Sequence, residues 1–197
     1  MSLGTQLKKD FSTLTLALMV VAIVLNIVVG AIVGLLKLPI FLDSIGTVLV
    51  GLLAGPWAGA LTGFLSNLIW GLFDPSAAPF APVALVIGLV TGLCAKFGLF
   101  KQWWQAIVSG IITTIALSPV AVFIVVAVYG GATGSGPDLI TAYFLAVGQG
   151  LIGATIISVF TSNLVDKIAT ALLAWAIVKG LSSRFVARFP RASAVRS

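Results

Sequence analysis

Apolar positions along the chain fall into long runs separated by short polar or proline-containing segments. The first run covers residues 14–36, and later runs cover 83–99 and 103–129. Each of them approaches the roughly 20 residues that a helix needs to cross the hydrocarbon core of a bilayer. The runs therefore predict membrane-spanning helices rather than the helices of a soluble domain.

Between the first two of these runs lies a hairpin of two shorter apolar segments. Asp43 and Ser44 suit the N-cap of a short helix over residues 45–54. Gly55 then begins a glycine-proline turn that leads into a further span over residues 57–73. We expect this hairpin either to line a binding cavity or to form a densely packed pair of membrane helices.

The region from residue 138 to residue 181 has no proline and is too long for one span. The basic residues decide how to divide it, because lysine and arginine accumulate in cytoplasmic loops. Six spans place Lys8, Lys9, Lys96, Lys101 and the arginine-rich tail on one side of the membrane, whereas a seventh would place the tail on the other. We therefore predict a short outer helix near 138–147 and a long final span over 148–181.

The composition agrees with a membrane protein, since 60% of the residues are hydrophobic and only 8% are charged, against roughly 25% charge in soluble domains. We predict an all-α polytopic membrane protein with six transmembrane helices, a short extra helix before the last, and both termini inside. Residues 1–13 would form a cytoplasmic N-terminal segment, 14–181 the membrane domain and 182–197 a basic cytoplasmic tail. The net charge of +6 then reflects orientation rather than nucleic-acid binding.

Several classes of enzyme are excluded by the residues that the chain lacks. Cys94 is the single cysteine and there is no histidine, which excludes Cys/His zinc sites and Ser–His or Cys–His catalysis. A Walker-type glycine loop is also missing, so the chain cannot hydrolyse ATP by that route. We therefore predict no catalytic residues, no metal site and no cofactor, and any energy for transport would come from a partner or an ion gradient.

The final span carries polar residues that a lipid-facing helix would not have. Ser158, Ser162, Asp166 and Thr170 recur every four residues and so share one face. Asp166 and Lys167 fall near the middle of the bilayer, where a charge is costly and must face protein or water. Two interpretations are open: a role in ligand binding or coupling, or a buried tie between helices.

Four stretches carry a resemblance to a known family. FLDSIGT at 41–47, GPWAG at 55–59, Ser66 with Asn67, and NLVDKI at 163–168 resemble the substrate-binding S component of energy-coupling factor (ECF) vitamin transporters. The resemblance implies a six-helix protein in the bacterial or archaeal inner membrane that binds a vitamin or related micronutrient from outside. It also implies a transmembrane coupling protein and two cytoplasmic ATPase subunits as partners.

On this basis we expect a binding subunit of an ECF-type importer whose pocket is formed by outer loops and the last three helices. Polar groups on a mostly apolar wall would orient the ligand. The predicted substrate-binding residues are Asn67, Trp70, Asp74, Tyr129, Tyr143, Gln149, Asn163 and Asp166. Asp43 and Asp138 at the mouth would favour a neutral or cationic ligand. The aromatic members could instead belong to the interfacial belts of membrane helices.

Contact with the coupling protein is expected from small residues on the first helix. The candidates are Ala17, Ala22, Gly30, Ala31 and Gly34. Alternative functions are a membrane sensor or assembly module, or an ion-coupled carrier that acts alone. The substrate stays open among riboflavin, thiamin, a pyrimidine precursor, cobalamin and other tetrapyrroles.

Overall fold

The structure is a computed structural model, and it describes residues 10–191. Within this range the chain forms eight α-helices and one short 3-10 helix, and it forms no β-strand. The helices are α1 (Thr13–Leu35), α2 (Ile45–Leu53), α3 (Pro56–Trp70), the 3-10 helix (Ala78–Phe80), α4 (Ala81–Lys96), α5 (Trp103–Ala127), α6 (Asp138–Ala146), α7 (Leu151–Gly180) and α8 (Ser183–Val186).

The prediction of an all-helical membrane protein is confirmed. The short helix expected near 138–147 is α6, and the long final helix is α7. Four helical segments are long and apolar enough to cross a membrane, namely α1, Ala78–Lys96, α5 and α7. The hairpin helices α2 and α3 have 9 and 15 residues and are shorter than a full span. A count of six spans and an inward orientation of both ends stay predictions.

Part of the basis for that orientation lies outside the described residues. Lys8, Lys9 and most of the predicted N-terminal segment precede residue 10, and the end of the predicted tail, with Arg196, follows residue 191. Two of the described basic residues, Lys96 and Arg191, lie near Asp10 at one end of the bundle, which we call the basic end, whereas Lys37 and Lys167 lie elsewhere. The backbone N–H of Arg191 donates to the carbonyl of Leu53 at 3.0 Å, which places the chain after α7 beside the α2–α3 turn.

Asp10 belongs to the basic end as well. Its side chain is fully buried, and its Oδ1 lies 3.4 Å from Nη2 of Arg191. Burial raises the pKa of Asp10 above its ordinary value, and the charges of Arg191 and Lys96 oppose that rise only in part. The carboxylate also closely approaches Gly55 at the turn between α2 and α3, where φ is 118° and a side chain would be strained.

Helices α3 and α4 touch through their backbones. A Cβ atom added to Gly88 would overlap the carbonyl group of Gly59, and one added to Gly63 would overlap the carbonyl of Ala84. Small residues at a helix interface let two backbones approach closely in a membrane, where van der Waals packing drives association. These glycines therefore bring α3 and α4 together over most of their length.

Asn26 joins three helices inside the bundle. Its Nδ2 donates to Thr47 Oγ1 at 2.8 Å and to Ser66 Oγ at 3.0 Å, while its Oδ1 accepts from the backbone N–H of Gly46 at 2.7 Å. A buried polar side chain is stable when its hydrogen-bonding capacity is satisfied in this way. The Asn26 amide thus holds α1 against the hairpin of α2 and α3.

Candidate functional site

A cavity of about 600 Å³ lies in the half of the bundle opposite the basic end. It is bounded by the second half of α1, the loop from residue 36 to residue 44, the end of α3, the segment 71–80, the start of α4 and the middle of α7. The segment 133–138 and the end of α5 complete the wall. Loops from several parts of the chain thus surround the cavity mouth, while helices form its floor.

Two asparagines line this cavity, Asn67 from α3 and Asn163 from α7. Asn67 is only 7% exposed, yet its side-chain amide makes no hydrogen bond to any residue that the structure describes. Asn163 donates from Nδ2 to the carbonyl of Val159 at 2.9 Å, which leaves its Oδ1 as a spare acceptor. Both residues line the cavity. Buried polar groups ordinarily have partners, so these amides are available for a ligand.

Ser162 adds a third polar group to the same wall. It lies next to Asn163 on α7, is buried, and its Oγ has no partner among the described residues. The sequence placed Ser162 on the polar face of the last helix, but it was not among the predicted substrate contacts. Its four-residue spacing from Asp166 was the sequence signal that could have identified it as a candidate substrate contact.

Asp166 was predicted to contact the ligand, but the structure places it behind the cavity wall. Its side chain is fully buried, and its Oδ1 accepts backbone hydrogen bonds from Phe41 at 3.0 Å and from Leu42 at 2.7 Å. Its Oδ2 lies 2.5 Å from Nζ of Lys167. Of the two interpretations left open by the sequence, the geometry matches the tie, which joins α7 to the loop between α1 and α2.

Lys167 rather than Asp166 lines the cavity. Its Nζ donates to Ser44 Oγ at 2.9 Å and lies 3.8 Å from Asp43 Oδ1. Ser44 occupies the N-cap position of α2, as predicted, but its side chain makes no capping hydrogen bond. The hydroxyl of Ser44 accepts from Lys167 instead. Sequence reasoning did not include Lys167 among the site residues, although a lysine beside a buried aspartate was the available signal.

Trp70 and Asp74, which were predicted to bind substrate, both line the cavity. The ring of Trp70 lies over Gly30 of α1, because a Cβ atom added there would be 2.6 Å from Cη2 of the tryptophan. Asp74 is exposed near the mouth, and its Oδ1 accepts from the backbone and the hydroxyl of Ser76 at 3.0 and 2.6 Å. Trp70 therefore forms a fixed wall, and Asp74 shapes the loop above it.

Tyr129 lies behind the cavity wall and supports it. Its hydroxyl donates to the carbonyl of Ser76 at 2.7 Å, and its ring stacks on Phe80 with centroids 5.6 Å apart. Phe80 lines the cavity, whereas Tyr129 does not. The contact between these two rings holds the proline-containing segment 71–80 in place. Phe80 and Phe73 were not predicted, because their loop gives no periodic signal.

Tyr143 and Gln149 are not brought to the cavity. Tyr143, on α6, is 63% exposed and packs edge-on against Phe144. Gln149 is exposed just before α7. Asp138, at the start of α6, does line the cavity, and its carboxylate accepts from Thr133 Oγ1 at 3.0 Å and from the N–H of Gly134 at 2.6 Å.

The small residues of α1 divide between two sides of the helix. Ala17 is exposed, whereas Ala22 is buried with its backbone against Gly46. Gly30, Ala31 and Gly34 line the cavity. Of the residues predicted to meet a coupling protein, Ala17 is thus the one that lies on the outer surface and away from the cavity.

Comparison with known proteins assigns the chain to a family. A family model described as the substrate-specific component of ECF transporters matches residues 11–181, which is most of the 197-residue chain. No curated protein and no solved structure matched the chain. The matched region contains every helix that borders the cavity. The chain therefore belongs to the family of ECF transporter substrate-specific components, multi-pass membrane proteins that bind a substrate and are not enzymes.

Proposed function

We propose that this protein is the high-affinity binding subunit that captures a vitamin-like micronutrient from outside the cell and presents it to the transporter. The observation that carries the proposal is the cavity in which Asn67 and Asn163 expose unused hydrogen-bonding groups between apolar walls. A largely apolar cavity with a few convergent polar groups is the usual form of a small-molecule site. The family membership supports a substrate rather than a structural role for it.

The position of the cavity supports capture from outside. The basic end contains Lys96 and Arg191, and the cavity lies in the opposite half of the bundle. Basic residues accumulate on the cytoplasmic side of membrane proteins. We therefore orient the loops around residues 36–44 and 71–80 toward the outside of an inner membrane. A ligand would enter between these loops.

The size of the cavity supports a compact ligand. About 600 Å³ falls within the usual range for small-molecule sites. A ligand of the size of thiamin, riboflavin or a pyrimidine precursor would fit in this volume.

Membership of the family implies a partnership with the energising subunits of an ECF transporter. We propose that these are a transmembrane coupling protein and two cytoplasmic ATPases, and that the exposed face of α1 around Ala17 contacts the coupling protein. Leu16, Val20 and Val24 share this face and are about half exposed or more. A bulky Ala17→Trp substitution should then lower co-purification of the coupling protein, while ligand-dependent stabilisation persists.

The experiment that tests the proposed function is purification of the full chain from its native membranes in a mild detergent. Native mass spectrometry should find a retained small molecule, and the coupling and ATPase subunits should co-purify. A membrane sensor or assembly module would retain no small molecule and would not co-purify with the coupling and ATPase subunits. An ion-coupled carrier acting alone would retain a ligand without ATPase subunits. Either of those two results would contradict the proposal.

A further inference from the structure

The charges in the cavity wall are unequally compensated. Three carboxylates line it, from Asp43, Asp74 and Asp138, together with the two ammonium groups of Lys37 and Lys167. Both lysines are already engaged: Lys37 Nζ donates to the carbonyl of Gly134 at 2.6 Å, and Lys167 binds Asp166 and Ser44. Among the described residues of this wall, three carboxylates thus outnumber the two ammonium groups, and one of those two also pairs with Asp166.

Asp43 is the cavity carboxylate that has to share its counter-charge. Its one ion-pair contact among the described residues is with Lys167, at 3.8 Å, and the same ammonium lies 2.5 Å from Asp166. Two carboxylates therefore share a single buried ammonium. The side chain of Asp43 is 24% exposed, and it lines the cavity. Attraction between charges is strong in a medium of low dielectric constant, so the uncompensated negative charge favours a cation in the cavity.

An aromatic ring stands beside this carboxylate. The point at which Gly30 would carry a Cβ is 2.6 Å from Cη2 of Trp70 and 2.9 Å from Cβ of Asp43. Tryptophan gives the strongest of the cation–π interactions. Phe41, Phe73 and Phe80 extend the aromatic part of the wall. A cation placed near Asp43 would thus meet a carboxylate and a π-surface, with apolar contacts for the rest of the molecule.

The opposite wall contains hydrogen-bond acceptors that a cationic ligand with N–H groups could use. Because Asn163 uses its Nδ2 on Val159, it offers the cavity an acceptor, Oδ1. Ser162 Oγ and the Asn67 amide are the other unused polar groups. An N–H group of a protonated amine or of an amino-substituted ring would satisfy the acceptor on Asn163.

We propose that the ligand of this cavity is an organic cation, either a protonated amine or a positively charged nitrogen heterocycle, recognised by Asp43 and Trp70. This proposal rests on the proposed function, because it assigns a substrate class to the same site. Phosphorylated or carboxylate-bearing relatives of the ligand should bind more weakly, since they would place a second negative charge beside Asp43, whose one ammonium partner is shared with Asp166.

The experiment measures the thermal unfolding of the full-length purified protein in the presence of a metabolite extract separated by ion exchange at neutral pH. Three fractions are compared: retained on a cation exchanger, retained on an anion exchanger, and retained on neither. The cation-exchange fraction should give the largest rise in Tm. A rise given mainly by either other fraction would overturn the cation proposal while supporting the proposed function. Stabilisation by no fraction would contradict the proposed function itself.

The active fraction is then titrated against variants. Asp43→Asn removes the charge and keeps the shape of the side chain, and we expect it to require at least tenfold more of the fraction for half-maximal stabilisation. Asp10→Asn, at the other end of the bundle, is the matched control and should respond as the natural chain does. If Asp43→Asn does not fold, Trp70→Leu provides the second test, with a several-fold loss expected. A normal response of whichever variant folds would overturn the proposal.

Discussion

The carboxylate of Asp166 accepts a hydrogen bond of 2.7 Å from the backbone N–H of Leu42, a residue held at a φ of 50°. A non-glycine residue in this left-handed region is unfavourable and persists only where its surroundings hold it. The second oxygen of the same carboxylate binds Lys167, which in turn binds Ser44. Two adjacent residues of α7 therefore hold the loop that forms one wall of the cavity.

We predict that Asp166→Ala weakens ligand binding indirectly, by releasing this loop. The substitution leaves the N–H groups of Phe41 and Leu42 without their acceptor and Lys167 without its nearest counter-charge. Removing one partner of a buried ion pair typically costs about 3–5 kcal/mol. The Tm of the ligand-free protein should fall clearly, which thermal unfolding in detergent would measure.

Asp166→Asn is the milder comparison for this prediction, because the amide keeps one oxygen as an acceptor for the loop. Its Tm should lie between those of Asp166→Ala and the natural chain. An unchanged Tm in Asp166→Ala, accompanied by a loss of ligand binding, would show instead that Asp166 touches the ligand directly, as the sequence alone suggested.

The two cavity amides give a second prediction. Asn67→Ala and Asn163→Ala should each lower ligand affinity by about threefold to tenfold, since one net hydrogen bond is worth roughly 0.5–1.5 kcal/mol. Asn67 has no described side-chain partner to lose, so Asn67→Ala should leave the stability of the ligand-free protein nearly unchanged. Isothermal titration with the ligand identified by native mass spectrometry would measure the affinities.

Gln149→Ala distinguishes the structural assignment from the sequence-based one. Gln149 was predicted to bind substrate, yet it is exposed and lies away from the cavity. Its replacement by alanine should not change affinity. If Gln149→Ala weakened binding as much as Asn67→Ala does, the cavity described here would not be the complete binding site.

Close packing of α3 on α4 gives a further prediction. Gly88→Ala would place a methyl group on the carbonyl of Gly59, and backbone atoms cannot move aside as a flexible side chain would. Overpacking of this kind typically costs about 1–3 kcal/mol, so Tm should fall. Gly180→Ala is the matched control, because no atom lies within 4 Å of its added Cβ and alanine favours helix. Equal Tm values for both variants would contradict the close approach of the two backbones.

The buried carboxylate at the basic end gives a prediction about pH. Because burial raises the folded-state pKa of Asp10 above its ordinary value of 3.8, the folded protein binds this proton more tightly than the unfolded chain does. The contribution of Asp10 to stability is therefore greatest below pH 3.8 and is lost as the pH rises through the folded-state pKa. Asp10→Asn cannot titrate and should lose this part of the pH dependence.

Thermal unfolding at a series of pH values, for the natural chain and for Asp10→Asn, would measure the difference. The two curves of Tm against pH should diverge above the ordinary carboxyl range, with the variant falling less. Parallel curves throughout would mean that the charge of Arg191 fully offsets the burial of Asp10.

The pattern of apolar runs and basic residues along the sequence was sufficient to determine the class of protein and most helix positions. Long apolar runs can be satisfied only by helices in a lipid environment, because every backbone polar group must find its partner within the segment. The short helix α6 before a long α7 followed from the distribution of basic residues, and the structure has both. The family resemblance carried by stretches such as 41–47 and 163–168 agrees with the family match over 11–181.

Only the tertiary structure decided which polar residues face the cavity. Asn67, Trp70, Asp74 and Asn163 line it, whereas Tyr129, Tyr143, Gln149 and Asp166 do not. Helical spacing places Asp166 and Asn163 on neighbouring faces of α7, but it does not show which neighbouring segment each face meets. That depends on the loop at residues 41–44, which approaches α7 from more than 120 residues away in sequence. The partner of a buried charged side chain therefore depends on contacts between distant parts of the chain, and the local sequence pattern does not predict these contacts.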